Sequence, residues 1–390
     1  KGVGLLKLDV LGIRNLAILG DAVRLVKQCR GFDIDIEKIP FDDKKTFKML
    51  AEGGTEGVFQ LGGSDGMTKH LKELKPTTVH DLNAMVALYR PGPINNISEY
   101  IARKQGRSPI KYFHPKAKTF LEKSYGILVY QDDLLYTAIE LAGYDWEMVD
   151  KFRNAVGKKI PAEMAKQHEI FVQGCQTHSG MTKEHAEQIW NLFEPFQGYG
   201  FNKAHDACYG RVAYQTAYMK ANYTAEYMCA VITAEAGDTE KIAHVITECQ
   251  RMGINVLSPD INSSFKDFTV NRGSTEEDGK IGKDKIRFGL LTIKKLGAGI
   301  ADAIIAERSK NDRFKDIDDF VTRIENKDLN KKSLESLVKC GALDIFGERN
   351  QLLTNLEALL SYAHEKQKNA NRGQVSLFGD SSQVTLPPLR

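Results

Sequence analysis

Residues 198–223, GYGFNKAHDACYGRVAYQTAYMKANY, bring an amide, a cation, an imidazole and several tyrosines into one short stretch. Asn202, Lys203 and His205 follow an aromatic–glycine turn and precede a long helical pattern rich in small residues. Cations that bind phosphate and rings that stack on a base are typical of a nucleotide or nucleic-acid surface. The alternative is that the tyrosines belong to the core and that His205 only begins the helix.

A second basic segment, RNAVGKK at 153–159, places Arg153, Lys158 and Lys159 around Gly157. Three cations beside a glycine that allows close backbone approach can grip a triphosphate. The alternative is a solvated basic helix end, where cations are favoured by the helix dipole. Together with the first stretch, the segment indicates that a polyanion binds where the two meet.

Lys7 and Asp9 lie in LLKLDV at 5–10, which alternates like a half-buried strand. A carboxylate next to a cation on one strand face suits metal-assisted phosphoryl transfer. On the local sequence alone, an ordinary exposed Lys-x-Asp on a strand edge is the favoured explanation of the pair. A two-metal site also needs further carboxylates, and none is evident nearby in the sequence.

The segment IKKLGAGIADAIIAE at 293–307 predicts a helix, a tight Gly-x-Gly turn and a second helix. In this helix-hairpin-helix pattern, backbone N–H groups at a helix N-terminus meet a DNA phosphate. Lys294 and Lys295 precede the turn that Gly297 and Gly299 form. A plain helical hairpin is the alternative. The next pair, LNKKSLESLVKCGALD, has a degenerate turn and completes the packing.

The polar C-terminal segment contains QVSLF at 374–378. Gln374 followed by Leu377 and Phe378 resembles a short linear motif that inserts apolar side chains into a partner's groove. The chain turns polar after about residue 365, which predicts a disordered tail.

The composition limits which partners are plausible. With 390 residues the chain should hold more than one domain, and its net charge of +3 means that nucleic-acid binding must come from local patches. Six scattered cysteines have neither disulfide nor zinc spacing, which favours a cytoplasmic location. No apolar run reaches membrane-spanning length, so we expect no membrane partner. Because the chain begins at Lys1 without Met, we expect a part of a longer protein.

The elements that carry these residues are mostly helical. The periodicity predicts a helix from about 13 to 29, ended by Gly31, and mainly helical structure from about 33 to 250. Residues 254–271 and 286–290 are expected to be extended, with a Gly- and acid-rich loop at 272–284 between them. Two short helix pairs are expected over 288–350. The predicted fold class is therefore mainly α with small β elements.

The chain resembles the bacterial replicative DNA polymerase III alpha subunit, a C-family DNA polymerase. The strings that carry the resemblance keep their order along nearly the whole chain: KLDVLGIRNL, GTEGVFQL, ALYRPGP, YGILVYQDD, FRNAVGKK, GYGFNKAHDACY, AYQTAYMKANY, SPDIN and LVKCGALD. The resemblance implies a multidomain fragment: the end of the palm at 1–20, helical fingers at 21–235 and a connecting region at 236–285. A tandem helix-hairpin-helix module at 286–350, then a helix and flexible tail with a clamp-binding motif at 351–390, would follow.

The resemblance also implies site residues. Asp9 would be one ligand of a two-metal Mg²⁺ site, with Lys7 beside it as a catalytic cation, and the other ligands would lie upstream. The residues implied for the incoming deoxynucleoside triphosphate are Arg90, Arg153, Lys158, Lys159, Asn202, Lys203 and His205. Primer–template DNA would contact the hairpin residues Lys294, Lys295, Gly297 and Gly299. Gln374, Leu377 and Phe378 would anchor a sliding clamp, and other polymerase III holoenzyme subunits are implied as partners.

Three departures from the family pattern stand out. Asn154 replaces a usual second basic residue, FQLGGSD replaces FQLES, and Asp206 and Cys208 replace small residues. The favoured function is replicative DNA synthesis, with this fragment alone inactive. The alternative is a non-enzymatic DNA-binding module tethered to a sliding clamp, which has no need of a triphosphate grip.

Overall fold

The structure is a computed structural model. It describes residues 4, 10–158, 161–193, 196, 201–273, 282–325, 328–371 and 386, without the side chains of residues 158 and 369–371. The chain forms two compact units: Lys1–Leu16 with Asp35–Tyr223, and Ala17–Ile34 with Thr224–Arg390. Helix α1, Arg14–Arg30, runs from the first unit into the second and lies close to the predicted span of 13 to 29.

In the described part of the first unit, all regular structure is helical. Its α-helices are α2 Lys44–Ala51, α3 Asp65–Leu74, α4 Val79–Leu88, α5 Ile97–Lys104, α6 Lys118–Leu121, α7 Gln131–Ala142, α8 Trp146–Lys158, α9 Pro161–Ser179, α10 Lys183–Asn191 and α11 Lys203–Asn222. Helices α7, α8, α9 and α10 enclose a core in which the rings of Phe152, Phe171, Trp190 and Phe193 pack together. Helix α11 packs on α4 and α2.

Local side-chain bonds fix where the helices of this unit begin. Thr78 caps α4, and Asp81 in its first turn accepts from the backbone of Thr78 at 3.0 Å. The same carboxylate receives the Lys104 ammonium of α5 at 2.9 Å. Such caps satisfy backbone N–H groups that a helix N-terminus leaves unpaired.

The second unit combines helices with a small sheet. Its elements after α1 are α12 Thr224–Ala234, α13 Thr239–Arg251, β1 Asn255–Leu257, β2 Thr269–Asn271, β3 Lys285–Arg287, α14 Ala298–Asn311, α15 Ile317–Arg323, α16 Lys331–Lys339, α17 Arg349–Thr354 and α18 Leu356–Asn371. The sheet order is β1-β3-β2, with β1 parallel and β2 antiparallel to β3. Ile286 of β3 is fully buried between Val256 and Val270.

A separate apolar core holds α14 to α18 together. Ile300 and Ile304 of α14, Phe320 of α15, Leu337 of α16 and Leu359 of α18 all lie in it. The fold class is therefore the predicted one, mainly α with a small sheet. The strands are shorter than the predicted extended segments, because only three residues of each form the ladder.

Two predicted elements differ in the structure. The first hairpin has no α-helix before its turn, because Leu290–Thr292 forms a single 3-10 turn there. Helix α18 also continues to Asn371, past the predicted start of a disordered tail at 365. Its side chains explain this extension: Lys366 bonds Asp318 of α15 at 3.0 Å, and Gln367 donates to the Ile324 carbonyl at 2.7 Å.

Candidate functional site

The N-termini of α7 and α11 meet. The backbone N–H of Gln131 donates to the Phe201 carbonyl at 3.0 Å, and that of Lys203 donates to Asp132 Oδ2 at 2.8 Å. Asn202 caps α11, and its Oδ1 accepts from the His205 N–H at 2.9 Å. The first residue of α11, Lys203, is thereby placed where two helix dipoles present their positive ends.

Lys203 reaches back towards the first turn of α7. Its Nζ lies 3.7 Å from Asp133 Oδ1 and 5.4 Å from the centre of the Tyr130 ring. The lysine side chain is 44% exposed, whereas that of Asp133 is 1% exposed. Asp133 Oδ2 accepts from the N–H groups of Val129 and Tyr130, both at 2.9 Å. Oδ1 has no hydrogen-bond donor among the described residues.

A cleft of 540 Å³ opens beside this pair, between α4, helix α6 with the 3-10 turn Glu122–Ser124 that follows it, α7 and α11. A volume of this size accommodates a small-molecule ligand. The cleft is lined by groups of three kinds: the basic side chains His80, Lys123 and Lys203, the carboxylates Glu122, Asp133 and Glu140, and the rings of Phe120, Tyr130 and Tyr136. The aromatic and cationic groups are of the kind that a nucleotide contacts.

Burial shifts the pKa values of His80, Asp133 and Asp206 in and beside the cleft. Burial lowers the pKa of His80, and the charges of Lys123 and Lys203 add to this effect. Burial raises the pKa of Asp133 to about 6, although the backbone N–H groups and Lys203 oppose the shift. Burial likewise raises the pKa of Asp206 to about 7, against the opposing influence of the Tyr130 hydroxyl and Arg90. Two carboxyl groups therefore titrate close to neutral pH.

Arg90 joins the start of α11 from a distant part of the chain. Its guanidinium carbon lies 3.8 Å from the centre of the Phe201 ring. The ring of His205 is 5.4 Å from that of Phe201 and 4.0 Å from that of Tyr209. The fold thus gathers Arg90 and His205, like Asn202 and Lys203, around one helix end.

The RNAVGKK segment forms the last turns of α8. Arg153 is exposed and pairs with Asp150 one turn earlier on the same helix. Gly157 lies within the helix, which ends at Lys158. The Lys158 side chain and Lys159 lie outside the described residues, so the triphosphate grip of this segment stays a prediction.

The remainder of α11 has a structural role. Tyr214 is fully buried, and its hydroxyl accepts from the N–H of Asp43 at 3.1 Å. The fully buried Lys220 donates to the carbonyls of Gly54 and Glu56 at 3.0 and 2.6 Å. The Thr216 hydroxyl accepts from the backbone N–H of Phe59 at 3.1 Å. These contacts tie the segment 36–60 to α11 and favour the core alternative for the tyrosine.

The hairpin residues are exposed in the second unit. Lys294 and Lys295 form the turn itself rather than preceding it, and Lys295 has φ of 67°. Gly297 is the N-cap of α14, and Gly299 lies in the first helical turn. A Cβ on Gly297 would meet nothing within 4 Å, and one on Gly299 only Asp328 at 3.8 Å. Packing within the described residues therefore does not require either glycine.

The remaining predicted site residues lie outside the described residues: Lys7, Asp9, Gln374, Leu377 and Phe378. Within the described ranges, no group of three or more His, Cys, Asp or Glu side chains could hold a metal ion. The expected Mg²⁺ site therefore finds no ligand set in that part of the chain. In the same part, no helix combines the length and apolarity needed to cross a membrane.

Comparison with known proteins supplies the family. The model described as "Bacterial DNA polymerase III alpha subunit finger domain" matches residues 15–179, and the model "Helix-hairpin-helix motif" matches residues 253–352. DNA polymerase III subunit alpha of Thermus aquaticus is 42% identical over 394 residues, covering 100% of this chain and 31% of that protein. The chain belongs to the DNA polymerase III alpha subunit family.

A second relative agrees. DNA polymerase III subunit alpha of Escherichia coli (strain K12) is 41% identical over 388 residues, covering 96% of this chain and 32% of that protein. The chain thus spans about a third of the length of these polymerase III relatives. The resemblance predicted from the ordered motifs is confirmed, and so is the presence of finger and helix-hairpin-helix regions. The predicted domain boundaries stay a prediction.

The structure adds residues that no motif singled out. His80, Lys123 and Asp133 line the cleft with Lys203. Asp133 belongs to the string YGILVYQDD, which contributed to the resemblance without a role for its carboxylate. A pair of carboxylates at the start of a helix was the available signal, but capping alone explains such a pair equally well.

Proposed function

We propose that this chain supplies the nucleotide- and DNA-binding surfaces of a replicative DNA-directed DNA polymerase. The observation that carries the proposal is the position of Lys203, at the meeting of two helix N-termini beside a cleft of 540 Å³. An ammonium and two positive helix ends favour a phosphate group. The family membership supports the same function.

For the nucleotide, Lys203 would neutralise phosphate charge, and Arg90 and His205 would add positive charge and ring surface around it. Asn202 would act indirectly, since its side chain caps α11 and so fixes the direction of the lysine. The exposed Arg153 is available once its pairing with Asp150 opens, because exposed ion pairs are weak. Lys158 and Lys159 complete the proposed grip on the triphosphate.

For DNA, the exposed turn of Lys294 and Lys295 and the start of α14 would hold the backbone of primer–template duplex. Gly297 and Gly299 would let a phosphate approach the helix N–H groups closely, which agrees with the open space around both. Backbone contacts of this kind position the duplex without reading its sequence.

The complete subunit would join a deoxynucleotide to the primer 3′ end. Two Mg²⁺ ions would supply the stabilisation of the attacking and leaving oxygens there. Asp9 would be one ligand and Lys7 a neighbouring cation, with the remaining ligands outside this chain. Gln374, Leu377 and Phe378 would bind a sliding clamp, which raises the effective concentration of polymerase at the primer end. Other holoenzyme subunits would be further partners.

The test is the affinity of the chain for primer–template duplex across a salt series, with and without the matched deoxynucleoside triphosphate. We expect a negative salt slope, which is the slope of log affinity against log salt concentration. We also expect tighter binding of the duplex when the matched nucleotide is present. Lys203→Gln should weaken nucleotide binding by roughly 10- to 150-fold, since a hydrogen bond to a charged group contributes about 1.5–3 kcal/mol. The exposed Lys183→Gln on α10 is the matched control.

The hairpin has its own control within α14. Lys294→Gln and Lys295→Gln should each lower the salt slope by about 0.9, while Lys310→Gln at the other end of the helix should not. A salt slope without any nucleotide effect would instead favour the alternative, a non-enzymatic DNA-binding module tethered to a clamp.

A further inference from the structure

The ammonium group of Lys203 already faces a buried carboxylate. Asp133 Oδ1 lies 3.7 Å from Lys203 Nζ, and the carboxylate side chain is 1% exposed. A phosphate that binds this lysine adds negative charge beside Asp133, and two negative charges repel strongly where water is excluded. For a triphosphate to bind tightly, the negative charge of Asp133 must be neutralised or moved away from the phosphate.

We propose that Asp133 is a positioning residue for Lys203, and that a nucleoside triphosphate binds at Lys203 together with one proton that Asp133 takes up from solvent. The inference rests on the proposed nucleotide role of Lys203. Without nucleotide, the carboxylate holds the lysine at the mouth of the cleft. With nucleotide, the lysine turns to phosphate and the carboxyl becomes neutral, with no covalent bond made or broken apart from the new O–H.

The two oxygens of Asp133 divide these tasks. Oδ2 accepts from the N–H groups of Val129 and Tyr130 and so caps α7. Oδ1 has no hydrogen-bond donor among the described residues, and the ammonium of Lys203 lies 3.7 Å from it. A proton can therefore attach to Oδ1 while the cap at Oδ2 persists. Because burial already raises the pKa of this carboxyl to about 6, the neutral form is within reach at physiological pH.

The charges around Asp133 also favour its protonation when nucleotide binds. Lys203 lowers the pKa of Asp133, whereas the neighbouring Asp132 raises it. Moving the ammonium towards a phosphate removes the first effect, and the phosphate adds to the second. Among the described residues, further titratable groups around the cleft and around Tyr130 include Tyr130 itself, His80 on α4, Tyr100 on α5, Tyr136 on α7, Asp206 on α11 and the rim residues Glu122, Lys123 and Glu140.

The linkage has a definite sign. The pKa of Asp133 is higher in the nucleotide complex than in the free chain, so affinity rises as the pH falls through the window between the two values. Above the higher pKa the extra affinity is absent, and below about pH 6 it is fully present. Each unit by which nucleotide raises this pKa gives about a tenfold gain in affinity across the window.

The test is isothermal titration of the 390-residue chain with dATP at pH 6.8, in PIPES and in imidazole. The two buffers differ in ionisation enthalpy, so the difference in heat counts the protons taken up. We compare the natural chain with Asp133→Asn, which keeps an oxygen for the cap but cannot ionise. The ionisation of dATP itself cancels in this comparison. Glu169→Gln, an exposed change of equal charge on α9, is the control.

The expected result is fewer protons taken up by Asp133→Asn, with a flatter affinity profile between pH 8 and pH 5.5. Equal proton counts and profiles in both chains would overturn the inference. Lys203→Gln separates the two proposals: unchanged dATP affinity refutes the nucleotide role, whereas weakened affinity with an unaffected Asp133→Asn refutes only the proton coupling.

The proton coupling can still be tested if Asp133→Asn does not fold. If circular dichroism finds Asp133→Asn unfolded, the proton count of Lys203→Gln takes its place, because the coupling needs the lysine. The expected result is then a lower count than in the natural chain, and an equal count would refute the coupling. Asp133→Glu, which retains a carboxyl group, should recover part of the pH dependence.

Discussion

Replacing the buried Lys220 by methionine tests the structural role of α11. The lysine side chain is fully buried, and its Nζ donates to the carbonyls of Gly54 at 3.0 Å and Glu56 at 2.6 Å. Both carbonyls belong to the GTEGVFQL region, far away in the sequence. Methionine has a similar length and apolar stem, so Lys220→Met removes the donor with little change in packing.

The expected loss follows from the two carbonyls. Each buried polar group that loses its partner costs about 1–3 kcal/mol, which makes a gross loss of roughly 2–6 kcal/mol. Part of this loss is recovered, because the variant no longer buries an ammonium group away from water. We therefore expect the free energy of unfolding to fall by about 3 kcal/mol.

The assay is urea unfolding followed by tryptophan fluorescence. The chain has 2 tryptophans, Trp146 and Trp190, and both lie in the unit that contains Lys220. Trp190 packs against Phe152, Phe171 and Phe193, so its emission reports on the core of that unit. The transition should therefore describe this unit rather than the C-terminal one.

Lys48→Met is the matched control, since the Lys48 side chain is 76% exposed and its ion pair with Glu52 spans 3.8 Å. Exposed pairs of this kind contribute about 0–1 kcal/mol. If Lys220→Met unfolds at the same urea concentration as Lys48→Met, the two hydrogen bonds from Lys220 do not stabilise the packing of the 36–60 segment on α11.

Two further predictions concern the second unit. Arg30 of α1 donates to the fully buried Glu226 of α12 at 2.6 Å. Arg30→Met should therefore lower the free energy of unfolding, measured by far-UV circular dichroism in urea, by about 3 kcal/mol, the low end for a broken buried pair because Arg272 remains 3.9 Å from Glu226. For Glu307 and Asp319, burial opposes ionisation, but hydrogen bonds that include those from Arg323 outweigh it and lower both pKa values. Their contribution is present above their ordinary pKa values of 4.5 and 3.8 and is lost as the pH falls through the lowered ones. Arg323→Leu should therefore reduce the loss of stability between pH 5 and pH 3, measured by urea unfolding at each pH.

A specific result would contradict each of the two predictions for Arg30 and Arg323. Arg24→Met is the control for Arg30, because Arg24 pairs with Asp21 on the exposed face of the same helix. Equal unfolding midpoints for the two variants would show that the buried pair contributes little. For Arg323, parallel acid profiles in the variant and the natural chain would mean that other groups cause the acid sensitivity.

Much of the fold followed from local patterns. The helix predicted over 13 to 29 is Arg14–Arg30, because apolar spacing and Gly31 define it without help from elsewhere. The start of the helix after Asn202 could likewise be predicted from the sequence, because Asn202 is a favoured N-cap residue. The first hairpin was not: its leading segment is a 3-10 turn, since the Phe265 and Lys266 carbonyls bind the N–H groups of Leu290 and Leu291. Such long-range bonds leave no periodic signal.

The site shows the same division. The sequence by itself determined the family and the helical class, because residue type, order and short-range spacing carry that information. It also predicted that Lys203 binds a polyanion, and this role stays a prediction. Only the tertiary structure decided that Asp133, 70 positions earlier, lies beside that lysine and that both face one cleft. Burial and electrostatic coupling depend on how distant segments pack, so the shifted pKa of Asp133 exists only in the folded chain.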